Sequence, residues 1–83
     1  MKVRIDGETY EGSGTEILEQ KRQLLPDADE FPDIETYIWQ MRADFIRMTD
    51  MDCVLPEGDT ERMALAMIAQ LAKVGALEVL EDE

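Results

Sequence analysis

Histidine is absent from the chain, and cysteine occurs once, at position 53. Histidine is the most common general base and transition-metal ligand in proteins, so its absence argues against most acid–base and metal chemistry. A single cysteine cannot form an internal disulfide, and the apolar residues after Cys53 predict a buried, unreactive thiol. We therefore expect no cofactor, no metal and no enzymatic activity.

Long apolar runs are missing as well. No stretch approaches the roughly 20 apolar residues that a membrane-spanning helix needs. The opening residues, MKVR, do not resemble a signal peptide. Together with the lone cysteine, these absences predict a cytoplasmic protein without membrane contact.

Basic residues are scarce. Eight Lys and Arg stand against 20 Asp and Glu, which gives a formal net charge of −12 at pH 7. Binding to DNA, RNA or anionic lipid depends largely on Lys and Arg that meet phosphates, so this charge opposes direct binding to all three. It favours a basic partner, or it serves solubility alone.

Some carboxylates fit part of a calcium-binding loop. Asp50, Asp52 and Glu61 fall at ligand positions of its template. Val54 and Leu55, however, stand where the loop needs an oxygen ligand and a glycine. The sequence therefore predicts no dedicated calcium site.

The chain is long enough for one small domain, residues 1–83, with 45% apolar residues. Its first segment, 2–11, alternates apolar and polar residues around Asp6-Gly7, a strong signal for a two-residue hairpin turn. With that pair at the tip, Val3, Ile5 and Tyr10 share one face, which we expect to be buried.

Helices are predicted to follow the hairpin. Ser13 and Glu16 form a capping-box pattern that begins a first helix, from about residue 15 to 25. Its apolar stripe consists of Ile17, Leu18, Leu24 and Leu25. Lys21 interrupts this stripe, and we expect its stem to lie along apolar surface with the amine in water. The alternatives are a buried ion pair or a contact with a partner.

The second predicted helix runs from about residue 34 to 48, with Asp33 as N-cap. Its core stripe consists of Ile34, Tyr37, Ile38, Met41, Phe45 and Met48. Trp39 and Ile46 fall on another side of this helix. A helix with apolar residues on two sides is usually central, which favours a buried Trp39. Alternatively, Trp39 is an exposed anchor for a partner, because Trp is enriched at binding hot spots.

A third helix is predicted from about residue 60 to 74, ending at Gly75. Its inner stripe consists of Ala64, Met67, Ile68, Leu71 and Val74. In the connector before it, Cys53, Val54 and Leu55 suggest a short extended segment that fills the core. Residues 77–80 then form a last strand, which we expect to join the hairpin. The predicted fold is α+β, with order ββαααβ and helices on one face of a small antiparallel three-stranded sheet.

The segment DADEFPDIE, residues 27–35, concentrates five carboxylates. Those of Asp33 and Glu35 suit a helix start, whereas the other three have no evident structural role. Clustered carboxylates could occupy a Lys/Arg groove, with Phe31 or Trp39 as an apolar anchor. The predicted partner-binding residues are Asp27, Asp29, Glu30, Phe31, Glu35, Trp39, Asp50, Asp52 and Glu57.

The opening MKVRIDGETYEGSGTEILEQ is similar to the start of small bacterial and prophage proteins. The whole chain, which is short, acidic and histidine-free, with one hairpin before its helices, resembles small proteins of phages and mobile elements. Some of these are inhibitors of the anti-CRISPR type, several of which imitate nucleic acid. The resemblance implies an inhibitor, and the class has no shared motif from which functional residues could be carried over.

The leading hypothesis is therefore a non-enzymatic protein-binding module. Its acidic surface would occupy the basic nucleic-acid-binding groove of a partner protein. The second hypothesis is a structural or self-associating phage domain, with a homodimer face around Trp39 and Ile46.

Overall fold

The computed structural model describes residues 1–24 and 33–81, and it has the predicted α+β fold. The predicted Leu25 end of the first helix lies outside the described residues. The elements, in chain order, are β1 (Lys2–Ile5), β2 (Glu8–Glu11), α1 (Gly14–Gln23), α2 (Ile34–Thr49), α3 (Thr60–Lys73) and β3 (Glu78–Glu81).

The hairpin has the predicted register. Lys2 pairs with Glu11 and Val3 pairs with Tyr10, with the other pairs following in step. The turn residues Asp6 and Gly7 have φ of 52° and 82°. A two-residue turn with positive φ at both central positions matches the right-handed twist of its strands. The local turn signal thus decides which side chains face the core.

The sheet has the order β2-β1-β3, with β3 antiparallel to β1. Val79 pairs with Val3 and Glu78 pairs with Arg4, and an irregularity follows at Leu80. Because side chains alternate across a sheet, one face carries apolar residues toward the helices and the other carries the ion pair of Arg4 with Glu78. The helices cover the apolar face, as predicted.

Helix ends follow local chemistry. The capping box of Ser13 and Glu16 is present, and the Asp33 carboxylate accepts from the backbone N–H of Thr36 at 2.7 Å. Asp59 caps α3. At the other end of α3, Gly75 has φ of 80° and the N–H of Ala76 donates to the carbonyl of Leu71 at 2.9 Å. This bonding pattern is a Schellman motif, which requires a residue that tolerates positive φ.

Lys21 adopts the arrangement expected of an amphipathic stem. Its side chain is 27% exposed, and its amine lies 3.4 Å from the carboxylate of Asp6, which is itself largely exposed. The pair is therefore at the surface and not in the core.

The core combines the inner face of the sheet with one side of each helix. Its fully buried large side chains are Val3, Ile17, Leu18, Ile38, Cys53, Met67 and Ile68. Cys53 and Leu55 are buried while Val54 between them is exposed, so the connector does fill the core, although it forms no strand.

Three stripe predictions are wrong. Met48 is 82% exposed, Leu24 is 66% exposed and Val74 is 38% exposed. Each lies at or next to the C-terminal end of its helix, where the described neighbours no longer cover it. Conversely, Met63 in α3 is buried although the stripe omitted it. Helical spacing predicts which face of a helix is buried, but it does not predict where neighbouring elements stop covering that face.

A contact between distant residues joins α3 to the start of α1. The Glu61 carboxylate accepts from the backbone N–H groups of Gly14 at 2.8 Å and Thr15 at 2.9 Å, and from the Thr15 hydroxyl. The first N–H groups of a helix have no partner within it, so Glu61 satisfies two of them. Gly14 allows the close approach, because a Cβ there would lie 3.0 Å from the Glu61 carboxylate and from Leu65.

Within residues 1–24 and 33–81, no helix combines the length and the apolar character that crossing a membrane requires.

Candidate partner-binding surface

One stripe of α2 lies beside its core-facing side. Glu35, Trp39, Arg42 and Ile46 recur at spacings of four, three and four residues, which places them along one line of a helix. Ile46 packs against the core, whereas Glu35 is exposed and Trp39 is 38% exposed. The indole is therefore neither fully buried nor isolated, and part of it is open to solvent.

Arg42 connects this stripe to the chain after α2. Its guanidinium lies over the Trp39 ring, 5.7 Å from the ring centroid, and its Nε donates to the Cys53 carbonyl at 2.6 Å. A cation over an indole face is attracted to it, and the hydrogen bond directs the guanidinium. Arg42 thus holds Trp39 and the connector in one arrangement.

The connector presents carboxylates next to this contact. Asp50 ends α2 with φ of 57°, a left-handed conformation that Asp adopts more readily than most residues. Its side chain is exposed, as is that of Asp52, whose carboxylate accepts from the backbone N–H of Cys53 at 2.9 Å. We define the Trp39 surface as Glu35, Trp39, Arg42, Ile46, Asp50 and Asp52.

The cations of this protein are largely engaged with its own groups. All eight Lys and Arg belong to the described residues, where five form ion pairs with carboxylates. Arg42 is engaged as above. Among residues 1–24 and 33–81, no ion pair involves Glu35, Asp50 or Asp52. The Trp39 surface therefore exposes three carboxylates without a cation that neutralises them directly.

Exposed carboxylates also occur elsewhere, on β2, α1 and β3 and at the N-cap of α3. What distinguishes the Trp39 surface is a large aromatic side chain among them. Val54, 76% exposed, and Met51, 39% exposed, add apolar area in the same connector. Sequence reasoning missed these two residues and the bridging role of Arg42, although its spacing of three from Trp39 already placed both on one helix face.

The predicted site residues have different outcomes. Four of them, Asp27, Asp29, Glu30 and Phe31, lie outside the described residues. Glu35 and Trp39 share the α2 stripe, whereas Asp50 and Asp52 belong to the connector that Arg42 joins to this stripe through the Cys53 carbonyl. Glu57 is exposed but lies further along the chain, beside the N-cap of α3 and off this stripe.

Cys53 lies beneath this surface and is fully buried. Burial raises the pKa of its thiol, and Asp52 acts in the same direction, while Arg42 opposes them. The neutral thiol, which is a weak nucleophile, is therefore the favoured form.

In the part of the chain that the structure describes, no group of three or more His, Cys, Asp or Glu is arranged to hold a metal ion. An open groove of about 450 Å³ runs between α1 and the start of α2. A smaller apolar groove of about 210 Å³ lies between the C-terminal ends of α2 and α3, bordered by Met48 and Val74.

No family model, curated protein or solved structure matches the chain.

Proposed function

We propose that this protein is a non-enzymatic binding module that inhibits a basic nucleic-acid-binding protein by occupying its nucleic-acid groove. The observation that carries the proposal is the Trp39 surface, where a partly exposed indole lies one helical turn from Glu35 and is joined through Arg42 to the connector that carries Asp52. The net charge of −12 adds a long-range field of the same sign as a polynucleotide.

The physical basis is similarity of charge. The Trp39 surface carries the exposed carboxylates of Glu35, Asp50 and Asp52, which are anionic like the phosphates of a polynucleotide. A groove that binds phosphates through Lys and Arg can therefore bind such carboxylates. Trp39 would add specificity, since aromatic side chains supply much of the energy at protein interfaces.

The rigid setting of the surface also supports binding. Glu35, Trp39 and Arg42 are on a 16-residue helix whose other side is in the core. The connector is fixed by the buried side chains of Cys53 and Leu55. A surface that is ordered before binding loses less conformational entropy when the complex forms.

The test uses a purified RNA-guided DNA effector, the kind of partner that inhibitors of the anti-CRISPR type have. Its affinity for the full chain is measured at low and high salt by calorimetry. We expect binding that weakens as salt rises, because screening reduces attraction between exposed charges. Binding that does not change with salt would contradict the proposal.

Matched variants locate the contact. The double variant Glu35→Gln, Asp50→Asn removes two charges from the Trp39 surface, and Glu8→Gln, Glu11→Gln removes two from β2. We expect about a tenfold loss of affinity for the first and less than about threefold for the second, because close charge pairs outweigh distant ones. Equal losses would show that net charge acts without a defined surface.

Self-association remains the second hypothesis. Partial exposure of Trp39 agrees with it, but Ile46 packs against the protein's own core, and the carboxylates of two copies would repel each other. A dimer in sedimentation at micromolar concentration that persists at all salt concentrations would favour this hypothesis over inhibition.

A further inference from the structure

The strand β3 forms one edge of the sheet. Among the described residues it pairs with β1 alone, and all four of its residues are exposed. An edge strand presents unpaired backbone N–H and C=O groups on its outer side, which can bind another extended segment.

The opposite edge is less open. α1 packs beside β2, and the side chain of Gln20 in α1 donates to the backbone carbonyl of Glu11 at 3.1 Å. No comparable side-chain hydrogen bond to the backbone of β3 occurs in residues 1–24 and 33–81. The two edges therefore differ in how accessible their backbone groups are.

Charge decides which segment suits β3. The strand reads Glu-Val-Leu-Glu, so both ends are acidic. If a second copy paired along the full strand in antiparallel orientation, Glu78 of one copy would face Glu81 of the other. Like charges directly opposite each other destabilise a strand pair. A second copy is thus disfavoured, and a segment with Lys or Arg is favoured.

The two faces of the sheet set the pattern of that segment. Glu78 and Glu81 pair with Arg4 and Lys2, on the face away from the helices, whereas Val79 pairs with the buried Val3. A strand added to β3 would therefore place basic side chains on the outer face and apolar ones beside Val79, in alternation.

We propose that the outer edge of β3 binds an extended segment, with Lys or Arg alternating with apolar residues, of the basic partner protein. Strand addition supplies backbone hydrogen bonds, and Glu78 and Glu81 select a basic segment. This inference rests on the proposed function in one respect, namely that the partner is a basic protein. The contact at β3 is separate from the Trp39 surface.

The test titrates the isotope-labelled full chain with an end-capped hexapeptide of alternating Lys and Val. The matched control is the same peptide with every backbone nitrogen methylated, which keeps the charge but lacks backbone donors for strand addition. We expect chemical-shift changes centred on residues 78–81, slower amide exchange in β3, and at least about tenfold weaker binding of the methylated peptide. Equal binding of the two peptides would overturn the inference.

Two variants test the edge itself. Glu81 and Glu11 both pair with Lys2, from opposite sides, so Glu81→Gln and Glu11→Gln remove the same charge from the two edges. We expect Glu81→Gln to weaken peptide binding about threefold and Glu11→Gln to leave it unchanged. Equal effects would mean general attraction between charges and would also overturn the inference.

The outcomes separate the two proposals. If the effector still binds in a salt-dependent manner while the peptide does not bind β3, the edge inference fails and the proposed function stands. If the peptide adds to β3 while no basic effector binds, the edge contact stands without the inhibitor role. Formation of a β3-to-β3 dimer in place of peptide binding would refute the edge inference.

Discussion

Glu61 connects two helices through one carboxylate. Burial alone would raise the pKa of Glu61, but the hydrogen bonds from Thr15 and Gly14 outweigh it and hold that pKa below its ordinary value of 4.5. Because these donors are also the unpaired N–H groups at the start of α1, the carboxylate complements the positive end of the helix dipole.

Replacing Glu61 with Gln keeps the shape of the side chain but removes its charge and one acceptor. We expect Glu61→Gln to lower the free energy of unfolding by about 1–2 kcal/mol, because hydrogen bonds to a charged group are stronger than neutral ones. Urea denaturation measures this. Glu57→Gln is the control, since Glu57 is exposed, and should change it by less than about 0.5 kcal/mol.

The same contact predicts a pH dependence. Since the pKa of Glu61 is lower in the folded chain than in the unfolded chain, protonation favours unfolding. Its contribution is therefore complete above about pH 5 and is lost as pH falls through the folded-state pKa. The difference in unfolding free energy between the native protein and Glu61→Gln should shrink between pH 6 and about pH 3. A difference that grows on acidification would contradict this assignment.

Single residues also show the limit of sequence reasoning. Ser13, Asp33 and Asp59 act as N-caps because the donors that they satisfy lie within three residues. Glu61 was not predicted as a cap, because the helix start that it binds is 46 and 47 residues away in the chain. Hydrogen bonds between residues close in the chain can be predicted from the sequence. A hydrogen bond between two distant elements cannot, because it depends on how those elements pack.

At the scale of elements, α2 and the connector after it form one unit. Arg42 joins them through the Cys53 carbonyl, and Cys53 is fully buried beneath. The Trp39 surface exists only while the connector stays against the helix. The order of the connector can therefore be measured through the accessibility of the Cys53 thiol.

We expect Arg42→Met to loosen the connector while keeping an apolar stem on α2. The Cys53 carbonyl would lose its charged donor, and the free energy of local opening of the connector would fall by about 1–3 kcal/mol. The rate at which a thiol reagent labels Cys53 should then rise about tenfold or more. Arg47→Met is the control, because Arg47 is exposed and pairs with Asp44 on the same helix. Unchanged labelling in Arg42→Met would show that Arg42 does not hold the connector.

The elements differ in how well the sequence predicts them. The register of β1 with β2 follows from Asp6-Gly7, because a two-residue turn leaves only one pairing. The end of α3 follows from Gly75 for a similar reason. The exposure of Met48 could not be predicted from the sequence. Its spacing is that of a core residue, but its burial depends on where α3 ends. Trp39 raised two possibilities, and only the packing around α2 shows its partial exposure.

For the whole molecule, the excess of negative charge opposes compactness. The ion pairs in the described residues are mostly exposed, and such pairs contribute about 0–1 kcal/mol each and weaken with salt. Repulsion among the surplus carboxylates is screened by the same salt. With a net charge of −12, we expect the loss of repulsion to exceed the loss of ion pairing.

The free energy of unfolding in urea should therefore rise with added NaCl up to about 0.5 M. The Glu8→Gln, Glu11→Gln variant carries less negative charge and should show a smaller rise. A fall in stability with salt in the native protein would mean that ion pairs dominate. In that case, neutralisation of the surface carboxylates by a basic partner would not relieve a repulsion that opposes folding.

The order of strands in the sheet was beyond the sequence. The sequence predicts a strand over residues 77–80, but either edge of the hairpin could have received it. Pairing with β1 puts Glu78 next to Arg4 and places Lys2 between Glu11 and Glu81, so opposite charges meet on the outer face. That preference becomes visible only when both possible orders are compared in three dimensions.

The most direct test is competition between this protein and nucleic acid for one groove. The affinity of the purified effector for the full chain is measured with increasing concentrations of its target duplex DNA. If both occupy the same groove, the apparent Kd for the chain rises in proportion to free DNA once DNA is saturating. An apparent Kd that stays constant, with effector, chain and DNA bound together, would contradict nucleic-acid mimicry.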